Sequence, residues 1–211
     1  MWDILFPRKC IFCKALLKED ETDLCKTCRT EAPDFTSSKN NIPFVAGWTA
    51  VWYYRDNVRH SFHRYKFRNA LSYAEPYGRF LAMRILQMNI EFDQLSWVPV
   101  SFWRRFSRGY DQVLLIAQSV AKELDVPLVQ ALKKVRHNPA QSGISDPSQR
   151  KANVIGAYAV RPDADIANKT IILIDDVITT GSTVSESAKT LLAAGAKEVY
   201  CAAVASAHKD N

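Results

Sequence analysis

Two aspartates, Asp175 and Asp176, stand between an apolar run, Ile171 to Ile174, and a hydroxyl-rich stretch, Thr179, Thr180, Gly181, Ser182 and Thr183. A short β-branched run ended by polar residues is the pattern of a buried strand in a parallel sheet. Downstream, Val184, Ala188, Leu191 and Leu192 fall on one face of a helix. Thr183 and Glu186 have capping-box spacing, and Gly195 stands where a left-handed C-terminal cap is expected. This order of parts suits an anion. A helix start presents backbone N–H groups with no carbonyl partner, and the helix dipole favours negative charge there. Glycine and hydroxyl side chains let the backbone close on a phosphate and add donors. Two carboxylates in front of that cradle would repel a phosphate, so they must face hydroxyls or a cation on the same ligand. A phosphate with a vicinal diol nearby describes a ribose 5-phosphate.

The run from Asp175 through Val177 to Thr183 resembles the signature of the type I phosphoribosyltransferases: apolar strand, acidic pair, Thr-Thr-Gly-type loop, helix. The resemblance implies that Asp175 and Asp176 hold the ribose hydroxyls of phosphoribosyl pyrophosphate (PRPP). It also implies that Val177, Thr179, Thr180, Gly181, Ser182 and Thr183 hold its 5-phosphate, with Mg²⁺ accompanying the ligand.

Cys10, Cys13, Cys25 and Cys28 form C-x2-C-x11-C-x2-C. Two such pairs offer four thiolates to one tetrahedral ion, which suits a closed, structural Zn²⁺ site. Two disulfides or a redox pair are the alternatives, and a cytoplasmic chain disfavours structural disulfides. A segment this small has little core of its own, so metal binding would supply much of its folding free energy. Cys201, the fifth cysteine, lies in an apolar strand and reads as an inert core residue. Pro33 to Pro43 reads as a linker rich in turn-formers.

The whole chain bounds these readings. Its 211 residues, 47% of them hydrophobic, suit one ordinary domain with a small appendage. A net charge of +6 points to anionic ligands, phosphates or nucleic acid, without choosing between them. No apolar run is long enough to span a membrane, and the start lacks a secretory pattern, so a cytoplasmic location without membrane insertion is expected.

Aromatic and β-branched residues from Phe44 to Tyr54 predict one or two strands. The following stretch to Leu86 reads as helical with a break near Glu75-Pro76. Its cations outnumber its acids, and Phe62, Tyr65, Phe67 and Tyr73 are interleaved among them. Such a face could stack on single-stranded DNA; it could equally turn its aromatics inward and its arginines to solvent. His60 and His63 lack a third metal ligand nearby and read as surface or phosphate-facing residues. Leu95 to Val100 reads as a strand, followed by a helix with Val113, Ile116, Ala117, Val120 and Leu124 inward. Arg104, Arg105 and Arg108 sit in the loop between them, at the sheet edge where open α/β folds bind ligands. Arginine forks suit pyrophosphate oxygens, although a plain solvated loop would read alike.

Arg105, Arg108, Gly109, Tyr110 and Gln112, together with the four-cysteine head and the acidic-pair loop, resemble the ComF/GntX-like proteins. These are phosphoribosyltransferase-domain proteins linked in many bacteria to natural competence. Asp111 departs from the pattern, which usually has asparagine there. Arg136, Gln141, Arg150 and Asn153 match polar positions of the family. The resemblance implies that the stretch from 135 to about 153 closes over PRPP and that Arg136, His137 or Arg150 meets the departing pyrophosphate. Strands are expected at Val154 to Val160 and Glu198 to Ala205, and His208 is expected to be unstructured.

The expected architecture is a doubly wound parallel sheet of the type I phosphoribosyltransferase class, residues 41–211, behind a zinc module with its linker, residues 1–40. The expected activity is transfer of ribose 5-phosphate from PRPP to an acceptor that carries no signature here, with Asp175, Asp176, Arg136 and Arg150 at the reacting centre. The alternative is a non-catalytic PRPP sensor or single-stranded DNA scaffold working with competence proteins.

Overall fold

A computed structural model describes residues 7–36, 41–68, 70–100, 109–136 and 154–207. Four parallel strands form the central sheet in the order β1 (Gly47–Tyr53), β6 (Glu198–Ser206), β5 (Thr170–Ile178), β2 (Gln94–Trp97). The last strand in sequence is therefore an inner strand. Its run of small residues, Ala202, Ala203 and Ala205, is fully buried between two neighbours. An antiparallel pair, β3 (Leu132–Lys134) and β4 (Tyr158–Val160), stands apart from this sheet. The chain at Val154 turns, so the strand begins later than the apolar pattern suggests.

Both sheet faces are covered, which is why β5 reads as an unbroken apolar run. On one face Ile172, Ile174, Ala202 and Val204 meet α2 (Asp56–Phe67), α3 (Ala74–Leu86) and α4 (Gln112–Leu124). On the other, Ile171, Leu173, Cys201 and Ala203 meet the β3–β4 pair and Val184, Ala188 and Leu191 of α5 (Ser182–Ala193). Each such aliphatic side chain contributes roughly 1.5–3 kcal/mol on burial. Cys201 is fully buried, as its apolar context predicts. The helix over 112–124 buries Val113, Ile116, Ala117 and Val120 as expected, with Leu124 half-buried. Gly78 brings α3 onto α4: a Cβ there would lie 2.3 Å from Ser119 Cβ.

The break comes earlier than Pro76: α2 ends at Phe67 and α3 begins at Ala74. Pro76 sits in the first turn of α3, where its missing N–H costs no helical bond. The amino-terminal module ends in a short helix, α1 (Lys26–Thr30). The stretch after it is no free linker over its first residues. Phe35 N–H donates to Val51 O at 2.9 Å, Tyr53 N–H donates to Pro33 O at 2.7 Å, and Phe35 packs on Trp48 and Tyr53. Polar turn-formers surround these contacts in sequence and mask them. No helix among the described residues is long and apolar enough to cross a membrane.

Candidate functional site

β5 continues through the acidic pair to Ile178, so Asp175 and Asp176 lie inside its last turn of ladder and not beyond it. The pleat sends adjacent side chains to opposite faces. Asp176 turns toward α2, where Lys66 Nζ stands 2.7 Å from its Oδ2; the two side chains are only 20% and 15% exposed. Asp175 is 9% exposed, and its Oδ1 accepts the Asp176 N–H at 2.8 Å. Burial first, then the neighbouring Asp176 charge, pushes Asp175 up to about 8, against the pull of Lys66 and Lys134. Near neutral pH the site therefore keeps a protonated carboxyl beside a lysine-paired one.

The loop after β5 turns on Gly181, whose φ of 73° is left-handed and whose absent Cβ would sit 3.0 Å from Ile42 Cγ1. Only glycine takes this turn without strain. Thr180 Oγ1 and Ser182 Oγ lie 2.9 Å apart beside it, and Thr179 is exposed. α5 starts at Ser182 with Gly181 as its cap and no side-chain cap bond. The capping box expected from Thr183 and Glu186 does not form, because the helix begins two residues too early for it. Glu186 instead accepts the Gly156 N–H at 2.7 Å and fixes the foot of β4 on α5. The other end of α5 follows its sequence: Gly195, at φ 100°, gives its N–H to Leu192 O and the next N–H, from Ala196, goes to Leu191 O. A helix start lined with hydroxyls, next to a lysine-held acid pair, can take an anion at one end and hydroxyls or a cation at the other.

Arg136 is exposed at the end of β3; its Nη1 reaches Ile155 O at 3.5 Å, and its guanidinium packs beside Gly156. Arg104, Arg105, Arg108, His137, Gln141, Arg150, Asn153 and His208 lie outside the described residues. Asp111 caps α4: its Oδ1 accepts from the Val113 and Leu114 N–H groups, each at 3.1 Å. An asparagine oxygen could accept both bonds equally, which accounts for either residue at that position. Two site residues escaped the sequence pattern. Lys66 and Lys134 both act on the acid pair, yet each stands in a run of cations with nothing local to single it out.

The basic, aromatic stretch resolves into contacts within the fold. Phe62 and Tyr65 are fully buried, Phe62 stacked on Tyr77 at 4.8 Å, so neither presents a ring to a base. Phe67 is exposed under His63. The arginines divide. Arg64 Nη2 donates to the Ile11 and Phe12 carbonyls at 2.7 and 2.6 Å, and Arg79 grips Asp23 through two bonds of 3.0 and 2.6 Å. Arg59 and Arg68 face solvent.

Those clamps close on the four-cysteine module. Cys10 and Cys13 flank a tight turn closed by the Lys14 N–H on Cys10 O, while Cys25 and Cys28 lie at the start of α1. The four Sγ atoms all lie within 4.8 Å of one another, Cys13 and Cys25 at 3.7 Å. Zn–S bonds of ~2.3 Å imply tetrahedral S···S edges of ~3.8 Å, so the donor set fits one zinc ion. Burial, then the neighbouring thiols, pushes Cys28 up, a charge problem that a bound cation removes. The module does not stand alone: Cys10, Ile11, Phe12, Leu24 and Cys28 share one core with Trp52, Phe62 and Tyr77.

Residues 1–39 match the double zinc ribbon domain family and residues 113–211 the phosphoribosyl transferase domain family. Competence protein F of Haemophilus influenzae is 26% identical over 92% of this chain and 95% of its own length. DNA utilization protein YhgH of Escherichia coli is 29% identical over 66% of this chain and 63% of its own. A solved adenine phosphoribosyltransferase from Thermoanaerobacter pseudethanolicus aligns at 17% identity and a TM-score of 0.40, over 67% of this chain and 83% of that one. With its zinc ribbon, its parallel sheet and these relatives, the chain belongs to the ComF-like family of phosphoribosyltransferase-domain proteins.

Proposed function

We propose that this protein binds PRPP with Mg²⁺ at the carboxyl end of β5 and transfers its ribose 5-phosphate to an acceptor, releasing pyrophosphate. One observation carries the reading: a buried, lysine-held acid pair runs directly into a glycine-turned, hydroxyl-lined helix start. The 5-phosphate would lie at the start of α5, among Thr179, Thr180, Ser182 and Thr183. Asp175 and Asp176 would take the ribose hydroxyls, and with one carboxyl protonated the pair offers both a donor and acceptors. Mg²⁺ would neutralise pyrophosphate charge and draw most of its oxygens from the ligand, since one carboxylate pair is a thin cage for it. The acceptor attacks the anomeric carbon, loses its proton, and the C–O bond electrons leave with pyrophosphate. Arg136, with Arg105, Arg108 and Arg150, would match that departing charge. Catalysis would then rest on positioning and electrostatics, with no protein nucleophile.

The names of the relatives, a competence protein and a DNA utilization protein, support a role in natural competence and DNA uptake, a role that a cytoplasmic protein would fill. The division of labour would fall between residues 1–40, folded by zinc, and residues 41–211, which carry the ligand. The rival is a non-catalytic scaffold that senses PRPP or binds single-stranded DNA; the net charge of +6 suits either reading. Calorimetry with Mg²⁺ and PRPP separates the two. The wild type should bind, and an Asp175→Asn, Asp176→Asn double variant should not. Absence of binding by the folded, zinc-loaded wild type would remove the enzyme reading. DNA affinity that falls steeply with salt and ignores the double substitution would support the scaffold.

A further inference from the structure

We propose that the zinc knuckle sets the affinity of the acid-pair site through α2, with Lys66 as the positioning residue at the far end of that helix; this rests on PRPP being the ligand. Four residues of α2 make the connection. Ser61 Oγ donates to Ile11 O at 2.7 Å, and Arg64 Nη2 donates to the Ile11 and Phe12 carbonyls. Tyr65 donates through its hydroxyl to Gln112 O at 2.7 Å, and Lys66 pairs with Asp176 at 2.7 Å. Ser61 to Lys66 spans only ~7.5 Å of helix, a segment that moves as one piece.

Ile11 and Phe12 are the two residues between Cys10 and Cys13. Backbone bonds tie the turn at its ends, Cys10 N–H to Ala15 O and Lys14 N–H to Cys10 O, and Ile11 N–H to Asp23 O ties it to the other cysteine pair, while an ion shared by all four thiolates would hold the Ile11 and Phe12 carbonyls in their present direction. Phe12 also seats its ring on Trp52 of β1 at 5.0 Å, edge to face. Opening the knuckle therefore releases α2 from two carbonyl anchors and β1 from one aromatic contact together. At the other end sits an ion pair with little solvent around it, whose strength falls quickly as the contact lengthens. With Lys66 displaced, Asp176 faces Asp175 without its cation, and a diol meets a differently charged pair. The zinc-loaded state is thus the one that binds PRPP tightly. Linkage makes the effect mutual: PRPP must strengthen zinc binding by the factor by which zinc strengthens PRPP binding.

The test is a zinc competition titration against a chromogenic chelator, with and without saturating PRPP in excess Mg²⁺, on the full chain. Couplings of this kind are commonly about 5- to 150-fold, and the wild type should hold zinc about tenfold more tightly with PRPP present. Lys66→Met should still bind PRPP, more weakly, while its zinc affinity no longer responds. Arg64→Gln should load zinc and show a PRPP Kd raised about tenfold. The Asp175→Asn, Asp176→Asn variant controls for zinc drawn off by PRPP itself, which would weaken apparent zinc binding. If the wild type binds PRPP by calorimetry and its zinc affinity does not change, the coupling is overturned while the PRPP site stands. If it binds no PRPP, the site reading fails first. The wild-type comparison needs no substitution, so a variant that misfolds leaves the test intact.

Discussion

Replacing Asp175 with asparagine should stabilise the ligand-free protein, and increasingly so as pH rises. Folding lifts the Asp175 carboxyl to about 8 from an ordinary 3.8, mainly by burial. Between those values the folded chain holds a proton that the unfolded chain has released, so wild-type stability falls with rising pH across that window and levels off above about 8. Each unit costs about 1.4 kcal/mol, which sets a ceiling of about 4 kcal/mol between pH 5 and pH 8. Asparagine keeps an oxygen for the Asp176 N–H and supplies a donor in place of the carboxyl proton, without any charge to bury. Any hydrogen bond that the amide lacks lowers the difference equally at every pH and leaves its slope untouched, so a rise of about 1–4 kcal/mol in the variant-minus-wild-type difference from pH 5 to pH 8 is expected. Denaturant unfolding of both proteins, zinc-loaded, at pH 5, 6.5 and 8 gives that difference. Contributions from the zinc thiolates are common to both and cancel. A difference that stays constant from pH 5 to pH 8 would mean that Asp175 is ionised throughout, and the argument for a protonated Asp175 would fail. The same variant should lose PRPP binding, a trade of stability against function at one buried carboxyl.

Gly181→Ala places a Cβ at 3.0 Å from Ile42 Cγ1 in a left-handed turn; it should cost about 1–2 kcal/mol by thermal unfolding and weaken PRPP binding measured by calorimetry. Chelating zinc, or substituting Cys13→Ser, should disturb more than the module, because Phe12 and Trp52 share a core. A loss of about 4 kcal/mol would lower Tm by roughly 8–16 °C, with a change in tryptophan fluorescence in the same transition; fluorescence that is silent on zinc loss would separate the module from the core. Gly78→Ala drives a methyl into Ser119 and should cost about 1–3 kcal/mol. Ser119→Gly in the same chain should recover part of that loss by denaturant titration, and an absence of rescue would place the strain elsewhere.

The parts of this protein that the sequence determined are the local ones. A C-x2-C pair, an unbroken apolar strand, an acidic pair, a small-residue loop and a helix ended by Gly195 each need only neighbours along the chain, and each is present in the expected order, although the strand runs on through the acidic pair to Ile178. Even here one local signal misled: Thr183 and Glu186 have capping spacing, yet Gly181 starts the helix early and Glu186 answers to Gly156. What tertiary structure alone decided is which distant groups meet. β6, last in sequence, lies between β1 and β5. Arg64 and Arg79, indistinguishable from surface cations in sequence, clamp the zinc module, and Phe62, Tyr65 and Tyr77 beside them face inward. Lys66 finds Asp176 from the opposite half of the chain. Hydrophobic periodicity and turn chemistry act over a few residues, so they are written in the sequence. The energy of a buried ion pair, or of an arginine on a carbonyl, depends on a distance between elements that no stretch of sequence contains until the core has packed.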